Sequence, residues 1–189
     1  AERGITIVPE SEMPGHSEEV LTAYPELSCT HEPYKQADFC PGNIGTYDFL
    51  ENVLKEVMDI FPSHYIHVGG DEAAKKSWGS CALCQKKLGI DNVDGLQAHL
   101  ISHMGKFLNE HGRQLVGWDE VIAGNLSKNT TVMVWRGTEL AHEAIKHGYD
   151  VVMSPGAYCY FDMYQDAPGT QPVANGGFIP TEKVYSYVP

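Results

Sequence analysis

Tyr65-Ile66-His67-Val68-Gly69-Gly70-Asp71-Glu72 is the stretch on which the reading of this chain turns. It opens with a short apolar run that is nearly continuous rather than alternating. That pattern suits a parallel strand covered on both faces. Two glycines follow, residues that permit unusual backbone angles and close approach. Two adjacent carboxylates then stand where the strand ends. Four further runs of the same type occur: Ile5-Thr6-Ile7-Val8, Gln114-Leu115-Val116-Gly117-Trp118, Thr131-Val132-Met133-Val134-Trp135 and Asp150-Val151-Val152-Met153.

Helical patterns lie between most of these runs. Thr46–Ile60 sets Phe49, Leu50, Val53, Leu54, Val57 and Met58 at helical spacing, and Leu96–Leu108 repeats the pattern. Glu139–His147 is shorter, with Gly148 as its expected C-cap. Strand–helix alternation implies an α/β fold with right-handed crossovers. Every strand run leads into a chemically loaded segment: PESEMPGHS, GGDE, WDE, WRG or SPGAYCYFD. Loading at one end of every strand is the mark of a (β/α)8 TIM barrel, whose active site lies on the C-terminal face. A doubly wound sheet would instead gather its special residues at one switch point. A barrel takes about 250 residues. The expectation for these 189 residues is therefore an incomplete barrel of about five parallel strands with intervening helices. Unpaired sheet edges would invite a homodimer.

The chain is acidic, with 25 Asp and Glu against 13 Lys and Arg and a formal charge of −12. This argues against nucleic-acid or anionic-membrane partners, which require basic clusters. No run approaches the roughly 20 apolar residues of a membrane span. No basic region followed by an apolar run marks a signal peptide at the start. Cys81 and Cys84 form a C-x-x-C, joined by Cys29, Cys40 and Cys159. A structural zinc site needs four ligands, and no second C-x-x-C exists. Free thiols or a local disulfide, such as one between Cys29 and Cys40, is the expectation. The odd count leaves at least one thiol unpaired, and cysteine usage does not decide the compartment.

Paired carboxylates at a strand exit are what acid/base hydrolysis of an acetal requires, one of them held protonated. Taken alone, Gly-Gly-Asp-Glu is better read as a turn followed by a helix N-cap with an acidic first turn. A metal-dependent hydrolase built on His16, His67, Asp71 and Glu72 is a further option, since divalent sites use His and carboxylates.

The ordered set RGITIVPESEMPGHS, HVGGDE, VGWDE, VMVWRG and VMSPGAYCYFDMYQ resembles the family 20 glycoside hydrolases, the β-N-acetylhexosaminidases, over nearly the whole chain. The resemblance implies retaining hydrolysis of terminal N-acetylhexosamine residues, without cofactor or metal. The substrate's own acetamido oxygen attacks, giving an oxazolinium-type intermediate. This family is an exception to the two-carboxylate scheme of other glycosidases. The resemblance makes Glu72 the general acid and base and Asp71 the group that orients the acetamido N–H. It makes Trp118 and Trp135 pocket walls, Tyr160 (rather than Tyr158) a donor to the acetamido oxygen, and Asp162 a ligand for a sugar hydroxyl. It sets His16 in the network that tunes Glu72, with Glu10 and Asp119 behind. His64, His67, His99 and His103 read as structural or surface residues.

Matched to the family barrel, residues 1–189 form a partial catalytic domain spanning the third to seventh strand region plus the following loop. An early-strand arginine and a late tryptophan and glutamate of the family have no counterpart here, so weak or no activity is expected of the isolated chain. A non-catalytic carbohydrate-binding fragment is the competing reading. The resemblance favours a periplasmic, secreted or lysosome-like compartment over the cytoplasm. Glycans ending in N-acetylglucosamine or N-acetylgalactosamine are the expected partners.

Overall fold

The computed structural model describes residues 3–87, 92–167 and 169–189. Its elements are α1 (Glu18–Ala23), α2 (Ile44–Ile60), β1 (Tyr65–His67), α3 (Ala82–Lys87), α4 (Val93–Glu110), β2 (Gln114–Trp118), β3 (Thr131–Val134), α5 (Glu139–His147), β4 (Asp150–Met153), α6 (Gly156–Cys159) and α7 (Thr181–Tyr185). The two long helices start on asparagines. Asn43 Oδ1 accepts from the Gly45 amide at 2.9 Å and Asn92 Oδ1 from the Gly95 amide at 2.6 Å, each satisfying a donor that the first turn leaves free. α2 buries Leu50, Leu54 and Met58, and α4 buries Leu100, Ile101, Met104 and Leu108. These residues recur at three- and four-residue steps and meet in one core with Ile66, Val68, Leu115 and Val132. α5 ends at Gly148, whose φ of +80° is the left-handed C-cap that the sequence predicts.

The sheet order is β1-β2-β3-β4, and every ladder is parallel. Register runs Ile66↔Leu115, Gly117↔Val132 and Val132↔Val151. A parallel sheet that adds each strand next to the last is the path of a barrel wall. The crossover from β2 to β3 uses a 3-10 turn, Asp119–Ala123, rather than an α-helix.

The run Ile5–Val8 differs from expectation. It carries no ladder, and Ile5, Ile7 and Val8 are exposed. The chain joins the sheet only at Glu10, which bridges His67 in parallel. The Pro9 carbonyl accepts from the His67 amide and the Ser11 amide donates to the His67 carbonyl, both at 2.9 Å. The next rung of this ladder would need the Pro9 nitrogen to donate to the Tyr65 carbonyl, and proline has no N–H, so the pairing stops there. No helix among the described residues is long and apolar enough to cross a membrane.

Candidate active site

Gly69 and Gly70 turn the chain out of β1 with φ of +67° and +97°. Both must be glycine. A Cβ on Gly69 would lie 1.7 Å from Glu12 Oε2, and one on Gly70 would lie 2.5 Å from Val121 Cγ1. The turn delivers Asp71 and Glu72 into an open cleft that Glu10, Glu12, His16, Trp118, Trp135 and Tyr160 also line. His16 Nε2 stands 3.2 Å from Asp71 Oδ2 and 3.3 Å from Glu72 Oε2. His16 and Glu72 themselves have φ of +46° and +50°, a costly conformation for residues with a Cβ that collects at functional sites. Asp71 is largely covered, whereas Glu72 faces solvent.

The aromatic walls are held by carboxylates. Trp118 Nε1 donates to Glu10 Oε1 at 3.0 Å, and Trp135 Nε1 donates to Glu120 Oε2 at 3.1 Å. Asp119, fully buried, accepts from the amides of Trp135 and Arg136 at 2.8 and 3.0 Å and pairs with the Arg136 guanidinium. Trp135 stacks on Tyr160 with ring planes 11° apart. Burial, then the Asp71 charge, raises the Tyr160 hydroxyl above its ordinary range. Tyr158 turns away, packing against Tyr187 and under Lys183. Asp162 is exposed and does not itself line the cleft. It accepts from Asn175 Nδ2 at 3.1 Å, and Asn175 lines the cleft.

His67, read from sequence as structural, is buried behind this wall. Its Nδ1 lies 3.0 Å from the Gly69 amide and 3.2 Å from Glu10 Oε1, and its ring meets Trp118 edge-on. The hydrogen bond to His67 is the largest influence holding the Glu10 carboxyl below the ordinary carboxylate range, against burial.

Sequence reasoning missed Glu12. Its Oε1 accepts from the Gly70 amide at 2.9 Å. Burial, helped by its hydrogen bond with Asp71 and opposed by the Gly70 amide, pushes its carboxyl up to about 9. At neutral pH Glu12 therefore keeps its proton. Asp71 Oδ1 is buried with no hydrogen-bond partner among the described residues, and the Glu12 carboxyl, with an oxygen within 4.8 Å of an Asp71 oxygen, is a neighbour that can donate to Asp71 when it holds a proton. The signal was available. Glu10 and Glu12 alternate along an extended segment and so share a face. Among the described residues, two groups containing carboxylates set one possible donor atom per residue within 4.8 Å of the others: His16 with Asp71 and Glu72, and Glu10 with Glu12 and Asp71. His67, which the metal-hydrolase reading would add, belongs to neither.

The sequence model for glycosyl hydrolase family 20, catalytic domain, matches residues 1–189. The chain belongs to this family. Among curated family 20 relatives, it is 41% identical to a beta-hexosaminidase of Porphyromonas gingivalis, over all of this chain and 26% of that protein. It is 36% identical to a beta-hexosaminidase of Vibrio furnissii, over all of this chain and 33% of that protein. The chain thus spans about a quarter to a third of these relatives. Among solved family 20 structures, the exo-β-N-acetylglucosaminidase of Vibrio harveyi in complex with N-acetylglucosamine superposes with a TM-score of 0.85 at 32% identity. That match covers all of this chain and 32% of that one. The β-N-acetylhexosaminidase of Bacteroides fragilis gives 0.80 at 36% identity, covering 88% of this chain and 36% of that one.

Proposed function

We propose that this chain carries the catalytic groups of a retaining β-N-acetylhexosaminidase that works through its substrate's acetamido group. The observation that carries the reading is the convergence of the Asp71 and Glu72 carboxylates on His16 Nε2 inside a cleft walled by Trp118, Trp135 and Tyr160. In the first step the acetamido oxygen of a terminal N-acetylhexosamine bonds to the anomeric carbon. The glycosidic bond breaks, and the leaving oxygen takes the proton of Glu72. Asp71 accepts a hydrogen bond from the acetamido N–H and balances the positive charge of the oxazolinium ring. Tyr160 donates to the acetamido oxygen, Trp118 and Trp135 enclose the group, and Asp162 holds a sugar hydroxyl. In the second step water bonds to the anomeric carbon and gives its proton to Glu72, and the oxazolinium ring opens to regenerate the acetamide.

The Asp71 and Glu72 oxygens that face His16 lie within 4.8 Å of each other. Neither carboxylate attacks the anomeric carbon in this reading; retention follows from two successive displacements there, the first by the acetamido oxygen and the second by water. The chemistry calls for carboxylates and the substrate's amide, and for no metal. The isolated 189 residues would turn over far more slowly than a protein of the relatives' length. Lost contacts to the reacting sugar remove transition-state stabilisation as well as affinity.

The test is hydrolysis of a nitrophenyl N-acetyl-β-glucosaminide by the intact protein, with the first-formed anomer followed by NMR. Release of the β anomer supports the proposal. Release of the α anomer would overturn the mechanism, and binding without turnover would favour a carbohydrate-binding role.

A further inference from the structure

Away from the cleft, the structure gathers four of the five cysteines. One Sγ each from Cys29, Cys40, Cys81 and Cys84 lies within 4.8 Å of all the others. Three of the separations are 3.7 Å (Cys29–Cys84), 3.8 Å (Cys40–Cys81) and 3.6 Å (Cys40–Cys84). Sulfurs at the corners of a tetrahedron around zinc, at bonds of about 2.3 Å, stand about 3.8 Å apart. All five cysteines are free thiols.

The surroundings of the cluster are built rather than incidental. Cys40 and Cys84 are completely buried and form a small core with Trp78 and Leu96, apart from the main one. The turn after Cys40 abuts the backbone before Cys84 so closely that a Cβ on Gly42 would lie 2.3 Å from the Leu83 carbonyl carbon. Trp78 Nε1 donates to the Phe39 carbonyl at 3.0 Å, and the Asp38 carboxylate accepts from the Ala74 and Lys75 amides at 3.2 and 2.7 Å. The fold therefore holds two pairs of cysteines, 29 with 40 and 81 with 84, face to face.

We propose that Cys29, Cys40, Cys81 and Cys84 are the ligands of a structural tetrathiolate zinc site. Four soft sulfur donors in a tetrahedron select zinc over hard divalent ions. Four protein ligands leave no open position for substrate, so the site is structural. Its place in the chain gives it a task. Cys29 and Cys40 lie between α1 and α2, downstream of His16, and Cys81 and Cys84 lie downstream of Asp71 and Glu72. The zinc staples together the two segments that leave the cleft. The sequence argument against zinc, the lack of a second C-x-x-C, fails because the other two ligands come from separate positions on a loop.

The intact protein, purified without chelator and dialysed, is expected to hold one zinc per chain by mass spectrometry of the metal. Its zinc X-ray absorption should fit four sulfur neighbours at about 2.3 Å. Exchange for cobalt should produce thiolate charge-transfer and tetrahedral ligand-field bands. Cys84→Ser should lose zinc and bands, whereas Cys159→Ser keeps both. Removing the zinc should lower Tm, and restoring it should recover the loss. The X-ray absorption needs no variant and decides the matter even if Cys84→Ser does not fold. Absence of zinc, a Cys29–Cys84 or Cys40–Cys81 disulfide in the protein as purified, iron in place of zinc, or zinc bound through nitrogen and oxygen would each overturn the proposal.

Discussion

The indole N–H of Trp118 donates to Oε1 of Glu10 at 3.0 Å, a contact between residues 108 positions apart. Glu10 is itself held by His67, so one carboxylate locks the first strand-end segment to a cleft wall. Glu10→Ala is expected to lower kcat/KM for an N-acetylglucosaminide by about 10- to 100-fold, the cost of a misplaced wall. Glu10→Gln, which keeps an acceptor oxygen, should recover most of it. Unchanged kinetics in Glu10→Ala would show that Trp118 needs no such anchor.

Asp71→Asn and Glu72→Gln should fail differently. Glu72→Gln removes the proton donor, so an alkyl glycoside suffers most. An acidic phenol leaves without much help, and the slow step becomes water attack. Asp71→Asn keeps the donor but removes the charge that balances the oxazolinium, costing about 10²–10³ in rate for both substrates. The measurement is kcat/KM of both variants on a phenyl-type and an alkyl-type substrate. The same leaving-group dependence in both would sink the division of labour.

Glu12 sets a pH dependence. Its carboxyl rises from an ordinary 4.5 to about 9 in the fold, so between those values the folded protein holds a proton that the unfolded chain has released. The associated stability is complete below the lower value and is lost as pH rises through the upper one. Glu12→Gln mimics the protonated form, with an amide that can still donate to Asp71. Tm measured from about pH 5 to about pH 9 should decline less steeply in Glu12→Gln than in the parent. Parallel curves would mean that Glu12 does not titrate in this window.

Gly69→Ala and Gly112→Ala separate backbone strain from collision. Both glycines have left-handed φ, +67° and +69°, but a Cβ on Gly112 meets nothing within 4 Å, whereas one on Gly69 strikes the Glu12 carboxyl. Gly112→Ala should cost only the conformational penalty of roughly 1–2 kcal/mol. Gly69→Ala should cost more and also displace Glu12 from Asp71, lowering activity where Gly112→Ala leaves it unchanged. Equal losses of Tm would show that the collision is relieved elsewhere.

Local signals were the legible ones. α5 and its Gly148 cap follow from apolar spacing and one glycine, and β1 to β4 follow from their apolar runs. Ile5–Val8 has the composition of a strand but no ladder, because pairing depends on register with another segment, and in that register the next rung would take its donor from Pro9, which has no N–H. Glu12 was overlooked because its importance lies in what covers it. Burial and a facing Asp71 are long-range facts, even though its alternation with Glu10 was visible.

By itself the sequence determined the α/β class, the order of its elements and the loaded segments at the strand ends, since these follow from residues close together in the chain. It also carried the family, through motifs kept in order. The tertiary structure alone decided which of those segments meet. It brought His16 onto Asp71 and Glu72, Glu10 onto Trp118, and Cys29 and Cys40 onto Cys81 and Cys84. Hydrogen bonds, proton affinities and metal geometry depend on separations of a few ångströms. Packing of the whole sheet and its helices sets such distances between residues far apart in the chain, and no spacing along it encodes them.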